Sequence, residues 1–433
     1  MKDRLQILFQ QVRLLNPVER TDRIVDVLID ENQIKAVKTN LVDIFVKINK
    51  IDCQGLILGS GLVDLYSHSG QPGYEERETI ASLAAAGAAG GFTRLAILPD
   101  TLPPIDRSAV LASQINNRRF NCDLQSKNLV ARSPHFYYWG ALSIGVQGQK
   151  MSELAELAAA GVIGFTDGYP IENLGLLRQL LEYLKPFNKP IALFSVNKDL
   201  KGNGVIREGE TSICAGLPGD PGISEATAIA AVLELVDRIG TPIHLMRVST
   251  ARGVELIASA KARGLPITAS TTWMHLLLSS DRILDNYDPN LHLEPPLGNR
   301  NDVKALIQGI KQGIIDAIAI DHTPHTYEEK TVAFAEAAPG AIGLELALPL
   351  LWQGLVVSKE LTALELWHAL SVGPQLCLHQ TPKQPICGQD AELTLFDPNL
   401  KWKVERNNLQ SLSANTPWFG KEITGRVVGI WNC

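Results

Sequence analysis

The sequence predicts an α/β protein: a closed (β/α)8 barrel carrying a small β-sandwich built from both termini. Three observations carry that expectation. From about residue 55 to about 385, strand-length apolar runs alternate with Ala- and Leu-rich helical runs, and repeated β–α units in that number favour a closed barrel over an open sheet. The first fifty residues and the tail instead show short runs of alternating apolar and polar residues. The length, 433 residues, suits one large α/β domain with an appendage.

In order along the chain, Ile7-Leu-Phe, Ile24 to Ile29 and Ile34-Lys-Ala-Val read as strands, with a turn at Asp30-Glu-Asn. They form the N-terminal part of the sandwich, residues 1–54. Leu56 to Asp64 is almost wholly apolar, as a strand buried on both faces of a parallel sheet must be, and it opens the barrel, residues 55–385. Further barrel strands are expected at Arg94 to Leu98, Val162 to Phe165, Ile191 to Phe194, Ile243 to Met246, Ile267 to Ala269 and Ala317 to Ile320. Helices are expected at 79–89, 173–184, 224–239, 253–263 and 302–313. The C-terminal part of the sandwich, residues 386–433, contains Ala391 to Phe396 and Thr424 to Trp431.

Composition narrows the function. Hydrophobic residues make up 45% and charged residues 20%, the balance of a folded globular protein. A net charge of −6 offers no basic face for phosphates, so nucleic acid is not an expected partner. The six cysteines, at 53, 122, 214, 377, 387 and 433, contain no C-x-x-C pair and read as reduced thiols of a cytoplasmic protein. The N-terminus lacks the pattern of an export signal, and the most apolar stretch, Ile80 to Phe92, is too short to span a bilayer; no membrane role is expected.

The most informative residues are Tyr66-Ser-His68 and, far downstream, Asp321-His-Thr-Pro-His325. Residues two apart on a strand share a face, so a His-x-His pair at a strand end aims two imidazoles at one metal ion. Here the first imidazole is a phenol. Tyrosine titrates near 10 and is a poor zinc ligand at neutral pH.

Many short segments occur in an order that resembles one known family. Among them are Gly61-Leu-Val-Asp-Leu-Tyr-Ser-His, Leu98-Pro-Asp-Thr, Glu208-Gly-Glu-Thr-Ser, Val248-Ser-Thr, Pro295-Pro-Leu, Ile318 to His325, Ala338-Pro-Gly and Asn415-Thr-Pro-Trp-Phe-Gly. By these the chain resembles the dihydroorotases of the cyclic amidohydrolase family over nearly its whole length. The resemblance implies a metal-dependent hydrolase barrel with its site at the strand C-termini, two zinc ions, and a carboxylate that moves the proton.

Position by position, the resemblance gives His68 and Asp321 as remaining metal ligands, with Asp321 also in the catalytic carboxylate position; Asp167 is the candidate for a third, in a turn that lacks one of the family's acidic residues, so whether it matches the family ligand stays open. Three histidine ligands are replaced, by Tyr66, Phe194 and Arg247. At the substrate positions, Asp100 stands for an asparagine, and His325, Pro339 and Gly340 match the substrate loop. Gly70 and Gly298 stand for arginines. Asp100 and Glu294, carboxylates in place of neutral or positive groups, oppose an acidic substrate. His244, His275 and His292 match no ligand position and are expected to be structural or solvent-facing.

A buried Asp321 needs a cation, either Arg247 or a metal. The expectation is therefore a catalytically inactive dihydroorotase-like protein without a cofactor, oligomeric, and a partner of aspartate carbamoyltransferase as the resemblance implies. The alternatives are a hydrolase with one weakly held Zn2+ at His68, Asp167 and Asp321, and a barrel that binds an unrelated small molecule through Arg247, Tyr66 and Asp100.

Overall fold

A computed structural model of the chain describes residues 6–30, 32–41, 49–121 and 133–432, the side chains of 117–121 excepted. Cys122 and Cys433 lie outside the described residues; Cys53, Cys214, Cys377 and Cys387 are free thiols.

Eight parallel strands make the barrel: Leu62–Ser67, Phe92–Ile97, His135–Gly140, Gly164–Phe165, Ala192–Phe194, Ile243–Met246, Ile267–Thr272 and Ala317–Ala319. They pair as two four-stranded sheets. A parallel bridge between Phe165 and Ile191 joins the sheets on one side. On the other, the Asp64 carboxylate accepts from Ile320 N at 2.8 Å, and His68 N donates to His322 O at 2.9 Å. The first two strands are buried along their whole length, as parallel strands sheathed by helices must be.

The expected helices are present, with boundaries set by their caps. Asn299 accepts from Asn301 N and Asp302 N and so starts its helix at Arg300, two residues before the apolar periodicity suggests. Thr79, Asn173 and Thr250 cap Ile80–Ala89, Leu174–Leu184 and Ala251–Ala262 in the same way. Among the described residues, no helix is long and apolar enough to cross a membrane.

The termini share one seven-stranded sheet. Gln6–Asn16 lies between Thr21–Asp30, antiparallel, and Ile57–Ser60, parallel; Leu393–Lys403 pairs with the far side of Ile57–Ser60 and with Glu422–Trp431. Phe9, Val27, Leu58, Leu395 and Trp431 form part of its core. Asp26 is buried there because it accepts Gln11 N and Leu41 N, at 2.8 and 2.9 Å, beside the bulge between Phe9 and Val12.

This sheet corrects the boundary at residue 55. The apolar run from Leu56 to Asp64 is two strands, the first in the terminal sheet and the second in the barrel, which begins at Leu62. The crossing needs glycine. A Cβ on Gly59 would come within 2.3 Å of the Trp367 ring, and one on Gly61 within 2.2 Å of Thr93.

Candidate functional site

The strand ends bring Tyr66 and His68 of the first strand to Phe194 of the fifth, Arg247 after the sixth and Asp321 after the eighth. Arg247 and Asp321 both have left-handed backbones, φ 54° and 53°. Each such non-glycine residue costs on the order of 1–3 kcal/mol and persists only where its surroundings hold it.

Those surroundings are each other. Arg247 Nε and Nη2 donate to the two Asp321 carboxylate oxygens at 2.8 and 2.6 Å, and Nη1 donates to Gly168 O at 2.8 Å. Its guanidinium also lies 5.0 Å from the Phe194 ring centre and 5.5 Å from that of Tyr66. The Arg247 side chain is only 6% exposed, so its charge survives by pairing. Burial works against that charge, but the Asp321 carboxylate outweighs it and raises the arginine pKa.

His68 sits between two carboxylates: Nδ1 is 2.6 Å from Asp100 Oδ2, and Nε2 is 3.8 Å from Asp321 Oδ1. Burial opposes its protonation, yet Asp100 and then Asp321 hold its pKa above the ordinary histidine value. Burial likewise opposes the Asp100 anion, and His68 holds its pKa below the ordinary range. The Tyr169 hydroxyl donates to Asp100 Oδ2 at 3.4 Å.

Tyr66 is fully buried and belongs to a polar chain beneath the arginine. Its hydroxyl is 2.9 Å from Ser270 Oγ and accepts Arg247 N at 3.1 Å; His244 Nε2 is 2.8 Å from the same Ser270 oxygen, and Nδ1 is 2.9 Å from Thr268 Oγ1. Burial pushes the Tyr66 phenol pKa above its ordinary value and that of His244 down to about 3. At neutral pH the first is a phenol and the second a neutral imidazole. A protonated phenol is a poor metal ligand, and both ring nitrogens of His244 are already engaged by Ser270 and Thr268.

A zinc pair does not fit this donor set. An apolar ring and a guanidinium do not coordinate zinc, a protonated phenol is a poor ligand, and Asp321 is already engaged by both arms of Arg247. Nor are the three expected ligands brought together. Asp167 turns to Ser143, accepting from its backbone N at 2.9 Å and from its hydroxyl, and lines a neighbouring crevice beside Ser195. Burial pushes Asp167 up to about 6. Among the described residues no group of three or more His, Cys, Asp or Glu side chains could hold a metal ion.

The substrate positions do converge. Asp100, His325, Pro339 and Gly340 line one cavity of about 240 Å³ with His68, Arg247 and Asp321. His325 Nε2 is 2.9 Å from Pro339 O, and burial lowers its pKa to about 4, so it is a neutral donor there. Gly340 has φ 122°, and a Cβ on it would approach Thr323 within 2.5 Å. His275 and His292 are buried, the former bonded to Thr272 and to the Pro295 carbonyl, the latter stacked 5.3 Å from Phe334.

Sequence reasoning missed Tyr169, Arg77 and Lys201. Tyr169 and Arg77 line the cavity, while Lys201 pairs with its Glu294 at 2.6 Å. None of the three sits in a spacing that announces it.

Comparison with known proteins agrees with this architecture. The family model described as "Dihydro-orotase-like" matches residues 55–252. A "Probable dihydroorotase-like protein" of Synechocystis sp. is 45% identical, with 96% of this chain and 98% of that protein covered. A "Dihydroorotase" of Syntrophus aciditrophicus is 36% identical, covering 98% and 97%. Among solved structures, the L-hydantoinase (dihydropyrimidinase) from Arthrobacter aurescens superposes with a TM-score of 0.82 at 21% identity, covering 99% of this chain and 95% of that one. At that identity the likeness shows a shared fold.

Proposed function

We propose a role that proceeds from one premise: the chain belongs to the dihydroorotase-like family, whose named relatives include dihydroorotases. Within that family it is a protein of pyrimidine biosynthesis that has given up metal-dependent catalysis. It acts instead as a structural partner of aspartate carbamoyltransferase in a cytoplasmic assembly.

One observation carries the loss of catalysis. A dihydroorotase needs the carboxylate after its last barrel strand free to move a proton beside a metal-bound hydroxide. In this chain that carboxylate, Asp321, is held by the two-pronged Arg247 guanidinium. A permanent cation in the cavity both neutralises the base and repels a dication. The same pair fills the structural need that a metal meets in an active barrel, since a buried carboxylate requires a counter-charge.

The partnership rests on the family and on what the loss leaves behind. A barrel without turnover still presents a surface, and a stable complex buries on the order of 1,600 Å² in total, about half of it on each partner. The test joins three measurements on one sample purified at native expression level: metal content, carbamoyl aspartate cyclisation, and co-elution of a transcarbamoylase chain. A metal-free, inactive protein that co-elutes with the transcarbamoylase is the expected result. Stoichiometric zinc with turnover would overturn the catalytic half, and elution alone would overturn the partnership.

A further inference from the structure

We infer that the barrel mouth is the face on which this chain docks a protein partner, and that the partner's own contact surface is basic and carries apolar side chains among its charges. The inference rests on the reading of the chain as a structural partner, and it adds which surface is used and what chemistry meets it.

The charge of the chain is unevenly placed. Eight loops leave the C-terminal ends of the barrel strands, at 68–79, 98–107, 141–153, 166–173, 195–222, 247–250, 273–299 and 320–346. Of the chain's 40 Lys and Arg and 46 Asp and Glu, these loops hold 9 and 21, a formal net charge of −12. The whole chain carries −6, so everything outside the loops carries +6. Barrel helices start at this end, and a helix N-terminus supplies roughly half a positive charge; eight of them give about +4, a third of what the loops carry.

Part of this acid is spent within the chain: Asp100 on His68, Asp321 on Arg247, Glu294 on Lys201 and Glu329 on Arg77. Much is not. Glu76, Glu172, Glu208, Glu328 and Glu336 are exposed and have no ion pair among the described residues. The same loops hold apolar side chains in solvent. Leu102, Ile144, Tyr169, Ile213, Tyr287 and Tyr327 come from six different loops, and Ile213 and Tyr327 are 81% and 78% exposed. One exposed apolar residue is ordinary; six from six loops around one acidic mouth mark a surface that something covers.

The charge selects what covers it. A nucleic acid or an anionic membrane is repelled, a second copy set mouth to mouth meets its own sign, and a small cation leaves the apolar side chains wet. A protein face with Lys and Arg among apolar side chains meets both features at once.

Calorimetry on the full chain, at low and at physiological salt, tests this with two independent probes. One is the transcarbamoylase of the proposed assembly. The other is an amphipathic peptide of Lys and Leu, with a Glu–Leu and a Lys–Ser peptide of the same length as controls. The transcarbamoylase and the Lys–Leu peptide are expected to bind, more weakly as salt rises, and both controls about tenfold or more weaker than the Lys–Leu peptide. Glu208→Lys with Glu328→Lys, and separately Ile213→Ser with Tyr327→Ser, are each expected to weaken both probes by about tenfold. Glu234→Lys with Glu360→Lys, at exposed positions outside the loops, makes the same change of charge and should alter binding by less than about twofold.

Equal weakening by the two charge-reversed pairs, no weakening by either mouth variant, or failure of both probes would overturn the inference. The two readings fail separately. A transcarbamoylase that ignores the chain while the Lys–Leu peptide binds at the mouth defeats only the partnership, whereas one that binds the mouth variants at full affinity defeats only the choice of surface.

Discussion

The seam that closes the barrel and the cavity beside it use the same strands to opposite ends. At the seam Asp64 accepts Ile320 N, and in the loops beyond the strand ends Glu78 accepts Leu412 N at 3.0 Å and Asn415 accepts His325 N at 3.1 Å while donating to Thr323 O. In the cavity, Arg247, Asp321, His68 and Asp100 bind mainly one another. Asp64 and Tyr66 sit two residues apart on one strand, the first serving the seam and the second packed beneath Arg247. Groups that hold backbone and groups that do chemistry can therefore change independently, because the first are fixed by the fold and the second only by what the cavity contains.

The sharpest way to break that contrast is to place imidazoles at the strand ends. Tyr66→His, Phe194→His and Arg247→His together are expected to raise zinc affinity by roughly a hundredfold or more, since a complete ligand set is worth on the order of 10 kcal/mol. Equilibrium dialysis against zinc reads it. An unchanged affinity would mean that the strand ends, and not just the ligand types, differ from those of a metal enzyme.

Next in size is the ion pair. Arg247→Met should lower stability by about 3–5 kcal/mol, because it strands the Asp321 carboxylate among buried groups, while Arg247→Met with Asp321→Leu should recover most of the loss. Urea unfolding of the single and double variants measures both. If the single variant loses under about 1 kcal/mol, the pair does not replace the metal's structural role.

A third test uses pH. The folded pKa of His244, about 3, lies below the unfolded value of 6.5, so the unfolded chain takes up the proton first. Its contribution is fully present above pH 6.5 and is lost as the pH falls toward 3, amounting to about 2 kcal/mol by pH 5. His244→Asn should flatten the acid limb of melting temperature against pH by that amount. An identical limb would show that His244 already finds water when folded. The smallest effect belongs to the surface: Arg178 pairs with Glu182 while 66% exposed, and Arg178→Ala should change stability by less than about 0.5 kcal/mol in the same urea assay.

Much of the fold was legible because hydrophobic period reports burial directly. Seven of the eight barrel strands announce themselves as aliphatic runs; His135–Gly140 does not, since its sequence, His-Phe-Tyr-Tyr-Trp-Gly, carries aromatic bulk where the others carry Ile, Leu and Val. The run from Leu56 to Asp64 shows the opposite failure. Period alone cannot tell that a buried run passes from one sheet to another where two glycines let it lie close against Trp367 and Thr93. In the site, Tyr66, Phe194 and Arg247 were found from the motifs around them. Whether Asp167 is a ligand stayed open in the sequence; in the fold its carboxylate bonds Ser143.

By itself the sequence determined the class of fold and the family, because both are written in local pattern or motif order. Only the tertiary structure decided how the side chains at the strand ends pair. That Arg247 grips Asp321 with both arms, that Asp100 bonds His68, and that Arg77 joins the same cavity all depend on residues far apart in the chain. Such contacts are set by how a closed barrel aims its strand ends at one point, and no local pattern encodes that convergence.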